Sequence, residues 1–218
     1  MNFEPDDIAE LRTALTRKER ELREAHHRIA NSLQLACGFL ERQGRGFDDP
    51  AVREAFTMAA ARLKAVGKVH RHLYTHSADS QVDLKPFLAD FCPEIAESTG
   101  LECSIDAESV IVPGEVAQDL AIVINELCLN AAKHGYAGKG GGRVCIRCRR
   151  EEAHLRLVVA DGGLGLPDNF SPSRGRGLGL SVIRAITRQL GGRFDASSES
   201  GARFTLTIPL AQLSRSLA

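Results

Sequence analysis

Between Ile8 and Ala36 the apolar residues Ile8, Leu11, Leu15, Leu22, Ala25, Ile29 and Ala36 fall at steps of three, four or seven, and neither glycine nor proline interrupts the run before Gly38. An α-helix turns once in 3.6 residues, so this spacing stacks the apolar side chains along one side, as in the heptad seam of a long helix. A helix is expected over about Asp6 to Glu41. The stretch from Arg42 to Asp49 contains two glycines and leads into Pro50, so it reads as a turn with proline opening a second helix. Val52, Phe56, Ala59, Leu63, Val66 and Leu73 carry that helix to roughly Tyr74 at helical spacing. Two long helices on a short loop make an antiparallel hairpin, and one hairpin offers its seam too few partners for burial. A homodimer through these N-terminal helices, forming a four-helix bundle, is therefore expected.

The polar stretch from Thr75 to Gln81 reads as a linker, giving expected boundaries of 1–76 for the hairpin, 77–81 for the linker and 82–218 for a second domain. In that second domain an amphipathic helix is expected from Leu84 to about Ser98, a short strand near 101–105, and an apolar helix from Pro113 to Ala132. Glycines dominate from Gly135 to Gly142. Two strands follow, 143–150 and 154–160, and their tight link suggests a β-hairpin. A glycine-rich loop from Asp161 to Gly179, a helix to about Leu190, and strands at 193–197 and 202–209 complete the chain. Hairpin connections mixed with helices favour an α+β sandwich with its helices on one face over a doubly wound parallel sheet.

The chain of 218 residues is 43% hydrophobic, enough for an ordinary core, and its 28 Lys plus Arg balance 28 Asp plus Glu. No net field draws it to nucleic acid or an anionic membrane, so any anion must be held by a local site. No apolar run is long enough for a membrane span, and the acidic start MNFEPDDIAE is unlike a signal peptide, so no membrane insertion and a cytoplasmic location are expected. Cys37, Cys92, Cys103, Cys128, Cys145 and Cys148 read as reduced core or surface thiols, with a metal or redox role as the alternative. The single C-x-x-C at Cys145 lacks a second pair, and on a strand its two thiols would face opposite ways.

Chemistry concentrates in two places. DGGLGLP at Asp161 and GRGLGLS at Gly175 supply glycines that allow close backbone approach, the second group opening a helix whose free N–H groups suit a phosphate. The spacing fits neither a P-loop nor a dinucleotide fingerprint. Upstream, NELCLNAAKHG places Glu126 and Asn130 four apart on one helix face with Lys133 near the same stripe. Polar groups in so apolar a helix are expected to line a cleft, where an Asn130 oxygen suits Mg2+ and Lys133 a phosphate. The competing reading of that helix is an amphipathic segment with a solvated face.

E-x-x-x-N-A-x-K-H, D-x-G-x-G and G-x-G-L-G, in that order over residues 81–210, resemble the ATP-binding domain shared by histidine kinases, gyrase, Hsp90 and MutL. The resemblance implies ATP and Mg2+ as cofactors, with Asp161 taking the adenine amino group, Asn130 the metal, and Lys133 and His134 the phosphates. It further implies backbone approach at Gly163, Gly165, Gly177, Leu178 and Gly179, and a lid from Leu166 to Gly177 carrying Arg174 and Arg176. Glu126 stands where relatives carry a catalytic Glu or Asn and would polarise the attacking group.

HHRIANSLQL resembles the H-R-x-x-N-x-L-Q signature of the second HisKA class of histidine kinases, which implies His27 as phosphoacceptor. With Leu22 and Ile29 at heptad position a and Ala25 at d, His27 falls at f and faces water, while His26 at e flanks the bundle. A neutral imidazole in that position is a competent nucleophile. The implied function is autophosphorylation of His27 from ATP and transfer to an aspartate on a response-regulator receiver domain. Asn31, one turn further on, is the candidate for positioning water in the reverse reaction. Ala30 and Ser32 depart from the Lys and Asn common in that class, and the absence of Trp disfavours the related HWE class. With about twenty helical residues before His27, the stimulus is expected through the coiled coil, a separate sensor protein, or a further domain. The rival readings are a phosphotransfer protein with a non-catalytic ATP-like domain and an anti-sigma-type serine kinase.

Overall fold

The computed structural model describes residues 5–76, 81–137, 141–173 and 177–213. The chain divides into two compact units, Met1–Asp79 and Ser80–Ala218.

The first unit is a hairpin of α1 (Pro5–Arg45) and α2 (Pro50–His76). Helix α1 runs four residues past its expected end, through Gly38 and Gly44. Gly44 is tolerated because it packs on Phe56: a Cβ there would stand 2.7 Å from the Phe56 Cβ. The turn is correspondingly short. Asp49 caps α2 by accepting from the Ala51 N–H at 2.8 Å, and Phe47 stacks on Phe56 with ring centroids 5.3 Å apart.

Within one hairpin the inner seam differs from the expected one. It runs through His26, Ala30, Leu33, Cys37, Leu40 and Gly44, steps of four and three, of which Ala30, Cys37 and Gly44 are buried. On α2 it meets Ala60 and Gly67, and the Cys37 thiol donates to the Ala60 carbonyl at 3.5 Å. Leu22 and Ile29 remain 59% and 44% exposed. A helix with two apolar stripes can pack against α2 with one while presenting the other outward, which is why the heptad pattern alone picks the wrong stripe for the hairpin contact.

The second unit contains β1 (Gln81–Asp83), α3 (Leu84–Thr99), β2 (Glu102–Ala107), β3 (Ile111–Pro113), α4 (Gly114–Asn130), β4 (Arg143–Glu151), β5 (His154–Asp161), α5 (Leu178–Gln189), β6 (Arg193–Ser198), β7 (Ala202–Pro209) and α6 (Leu210–Leu213). A five-stranded sheet has the order β2-β4-β5-β7-β6, antiparallel except for the β2–β4 pair. Strands β1 and β3 form a small antiparallel sheet of their own, so Gln81, counted with the linker on sequence, is strand. Three-residue strands carry too little alternation to be read from sequence.

Alternation on the large sheet sends Val144, Ile146, Cys148, Leu155, Leu157, Phe204, Leu206 and Ile208 to one buried face, where α3, α4 and α5 cover them. Leu120 and Ile124 of α4 and Ile183 of α5 are at most 1% exposed. Each such side chain contributes about 1.5–3 kcal/mol, so the helix layer is firmly held on the sheet. Asp83 caps α3 through the Lys85 N–H, and Gly100 closes it in the left-handed conformation at φ 69°. Cys145 is half-buried and Cys148 buried, as expected for positions on opposite strand faces. All six thiols are free, and among the described residues no cluster could hold a metal ion.

Candidate functional site

Helix α4 ends at Asn130 and passes into a single π-helical turn, Ala131–Gly135, closed by the Tyr136 N–H donating to the Ala131 carbonyl at 3.0 Å. Such a turn takes an extra residue and alters the phase of the helix. Glu126 is only 2% exposed and makes a polar interaction, and Asn130 is half-buried. Lys133 and His134, on the π turn, are exposed. The expected single stripe from Glu126 to Lys133 is thus graded from buried to solvent-facing.

Asp161, the last residue of β5, lies against this turn. Its Oδ1 accepts from the N–H groups of Gly163 at 2.9 Å and Ala202 at 3.1 Å. Among the described residues Oδ2 makes no hydrogen bond, so one oxygen is fixed by backbone while the other can meet a ligand. Contact depends on glycines from both segments. A Cβ on Gly135 would lie 3.2 Å from Asp161 Oδ1, and one on Gly163 would lie 2.6 Å from Gly135 Cα and closer still to its carbonyl. The Gly135 carbonyl accepts from the Leu164 N–H at 2.9 Å. Gly165, at φ 79°, turns the loop past Ser198, whose hydroxyl accepts from the Leu166 N–H at 3.0 Å and donates to the Gly201 carbonyl at 3.3 Å.

Gly177 precedes α5 at φ 124°; it and Leu178 are exposed, whereas Gly179 is buried. Arg174 and Arg176 lie outside the described residues. Sequence reasoning missed Tyr136 and Ser198, which hold the loop rather than match a motif. Their only sequence signal is a hydrogen-bonding side chain beside a glycine cluster.

On the hairpin, His27 and Asn31 are exposed, four residues apart on one face of α1. His27 stands about 90° round the helix from the inner seam, on the side away from Leu22 and Ile29, at roughly 100° per residue. His26 is half-buried; burial, and then the neighbouring His27, hold its pKa below the ordinary imidazole value. A groove of about 310 Å³ between α1 and α2 is lined by Ala30, Gln34, Gly38, Leu63 and Gly67 among others. Gln34 and Gly38 follow His27 by seven and eleven residues, so this groove opens on the His27 side.

Two family models match the chain. Residues 24–99 match a histidine kinase model, and residues 115–212 match the model for histidine kinase-, DNA gyrase B- and HSP90-like ATPases. The chain belongs to the histidine kinase family. It is 30% identical over 220 residues to the sensor histidine kinase PdtaS of Mycobacterium tuberculosis, covering 96% of this chain and 44% of that protein. It is 25% identical over 207 residues to blue-light-activated histidine kinase 2 of Erythrobacter litoralis, covering 90% and 59%. The chain therefore spans about half the length of these relatives. In fold it is similar to the solved histidine kinase domain of a blue-light activated histidine kinase from Erythrobacter litoralis, with a TM-score of 0.63, 20% identity, and 85% and 96% of the two chains covered. Among the described residues no helix is long and apolar enough to cross a membrane.

Proposed function

We propose that this chain is the catalytic core of a cytoplasmic ATP-dependent protein histidine kinase, which phosphorylates its own His27 and passes the phosphoryl group to an aspartate on a receiver domain. The observation that carries the proposal is the close contact where Asp161, fixed by backbone through Oδ1 and with no hydrogen bond at Oδ2 among the described residues, meets the glycine that ends the π turn after α4, in a chain that also bears a solvent-facing histidine. Asp161 accepts the adenine amino group, and Gly163 and Gly165, packed on Gly135 and Ser198, shape the loop that the nucleotide meets. Lys133 and His134 meet phosphate oxygens from the π turn, with Arg174 and Arg176 as further donors and the backbone from Gly177 to Gly179 opening α5 toward them.

The donor set fits Mg2+, which prefers oxygen ligands and keeps waters and phosphate oxygens beside one or two protein groups; Asn130 would hold it through its amide oxygen. A bound Mg2+ would neutralise charge on the phosphates. A ring nitrogen of His27 forms a bond to the γ-phosphorus as the bond to the bridging oxygen breaks and ADP leaves. Glu126 polarises the attacking group. Positioning and electrostatics carry most of such a reaction. The groove on the His27 side suits a docked receiver, and the outward stripe with Leu15, Leu22, Ile29 and Phe39 suits a homodimer, with stimulus arriving from a separate sensor protein or a further domain.

The test is incubation with labelled ATP. Wild type should take label that is lost in acid and survives base, as phosphohistidine does. His27→Gln should take none while binding ATP normally, and Asp161→Asn should lose roughly 10- to 150-fold in ATP affinity, the worth of a charge-assisted hydrogen bond. Wild-type labelling of His27→Gln would move the acceptor elsewhere, with His26 next to be examined.

A further inference from the structure

The phenol of Tyr136 is hydrogen-bonded to its full capacity. Its O–H donates to the Arg143 carbonyl at 2.7 Å, and its oxygen accepts from the N–H groups of Arg143 at 3.0 Å and Gly162 at 3.0 Å. A hydroxyl has one proton and two lone pairs, so none is left over. These bonds join three segments at one atom: the turn that ends α4, the first residue of β4, and the residue directly after Asp161. The ring is seated as closely as its hydroxyl, since a Cβ on Gly142 would stand 2.6 Å from two ring carbons.

We propose that Tyr136 is a positioning residue for the nucleobase end of the nucleotide site, acting through Gly162 on Asp161. Asp161 Oδ1 is bound to the Gly163 and Ala202 N–H groups, which sets its position relative to the loop but not the position of the loop itself. Tyr136 sets the latter, by tying Gly162 to the residue that closes the π turn following Asn130. The outer pieces of the pocket are thus referenced to one another through a phenolic oxygen. Preorganisation of this kind lowers the ordering that a ligand must impose on the loop. The inference rests on the proposed role of Asp161 and extends it.

Tyr136→Phe removes the oxygen and keeps the ring. It should raise the Kd for ATP roughly tenfold, the effect of about one net hydrogen bond. It should also narrow the preference for ATP over GTP, while His27 phosphorylation at saturating ATP stays at the wild-type rate. In amide exchange followed by NMR, the Gly162 N–H should exchange faster in the variant. Asp161→Asn is measured alongside. Loss of affinity in Asp161→Asn with wild-type affinity in Tyr136→Phe would overturn the positioning role and leave the nucleotide site standing. Wild-type affinity in Asp161→Asn would overturn both. A Tyr136→Phe protein that loses phosphorylation rate at saturating ATP, or whose second unit fails to fold, would show a general structural role instead and equally overturn the proposal.

Discussion

Replacing Gly163 by alanine tests a close backbone approach in the proposed nucleotide site. Gly163 does not have a positive φ, so alanine is not refused on conformational grounds. The obstacle is steric: the new Cβ would lie 2.5 Å from the Gly135 carbonyl carbon and 2.6 Å from Gly135 Cα. Ordinary carbon contacts are about 3.5 Å or more, so backbone must move by roughly 1 Å. No flexible side chain can absorb that movement, because every near atom is main chain. Overpacking of this kind costs about 1–3 kcal/mol, or roughly 3–10 °C in the melting temperature of a unit of this size. The same movement breaks the Leu164 N–H to Gly135 carbonyl bond and displaces Asp161, so ATP affinity should fall by roughly 10- to 150-fold. Differential scanning fluorimetry and titration calorimetry read the two effects separately. A Gly163→Ala protein that melts within a degree of wild type and binds ATP as tightly would refute the argument from close approach.

Asp119 of α4 accepts from the Gln189 side chain at 3.1 Å, and burial followed by the Glu115 charge pushes its pKa up to about 6. A folded-state value above the unfolded one means that its stabilising contribution is complete below about pH 4 and lost as pH rises through 6. Asp119→Asn keeps an acceptor for Gln189 and removes the charge, so it should be more stable than wild type at pH 8 by on the order of 1 kcal/mol after allowance for solvent screening, and equal to it near pH 3. A stability difference that does not change with pH between those points would contradict this. For Asn31→Ala, decay of a phosphorylated receiver should slow to its uncatalysed rate while His27 labelling persists; equal decay with both proteins would remove Asn31 from the reverse reaction.

Legibility followed periodicity. The long helices, the β4–β5 hairpin and the last two strands could be read because each repeats its pattern over six or more residues. Motif spacing singled out Asp161 and Gly163, which the fold sets against Gly135 at the end of the π turn, and Asn130 at the end of α4. The choice of inner seam on α1 was hidden, since Leu22 and Ala30 are both apolar and only the presence of α2 decides which turns inward. The π turn was hidden too, because it changes the phase of α4 without changing its composition. Tyr136 and Ser198 act on backbone groups distant in sequence, Ser198 on Leu166 thirty-two positions away, and such pairings leave no spacing to detect.

The fully buried positions of the hairpin's inner seam are small residues, Ala30, Cys37, Gly44, Ala60 and Gly67, which bring two helices close but remove little apolar area from water. Larger side chains, Leu22 and Ile29 among them, face outward. In the proposed homodimer most of the burial available to this unit would lie in association rather than in the single chain, which would make its folding a matter of mass action. Its melting temperature should climb with protein concentration, and dilution alone should loosen the helix that carries His27.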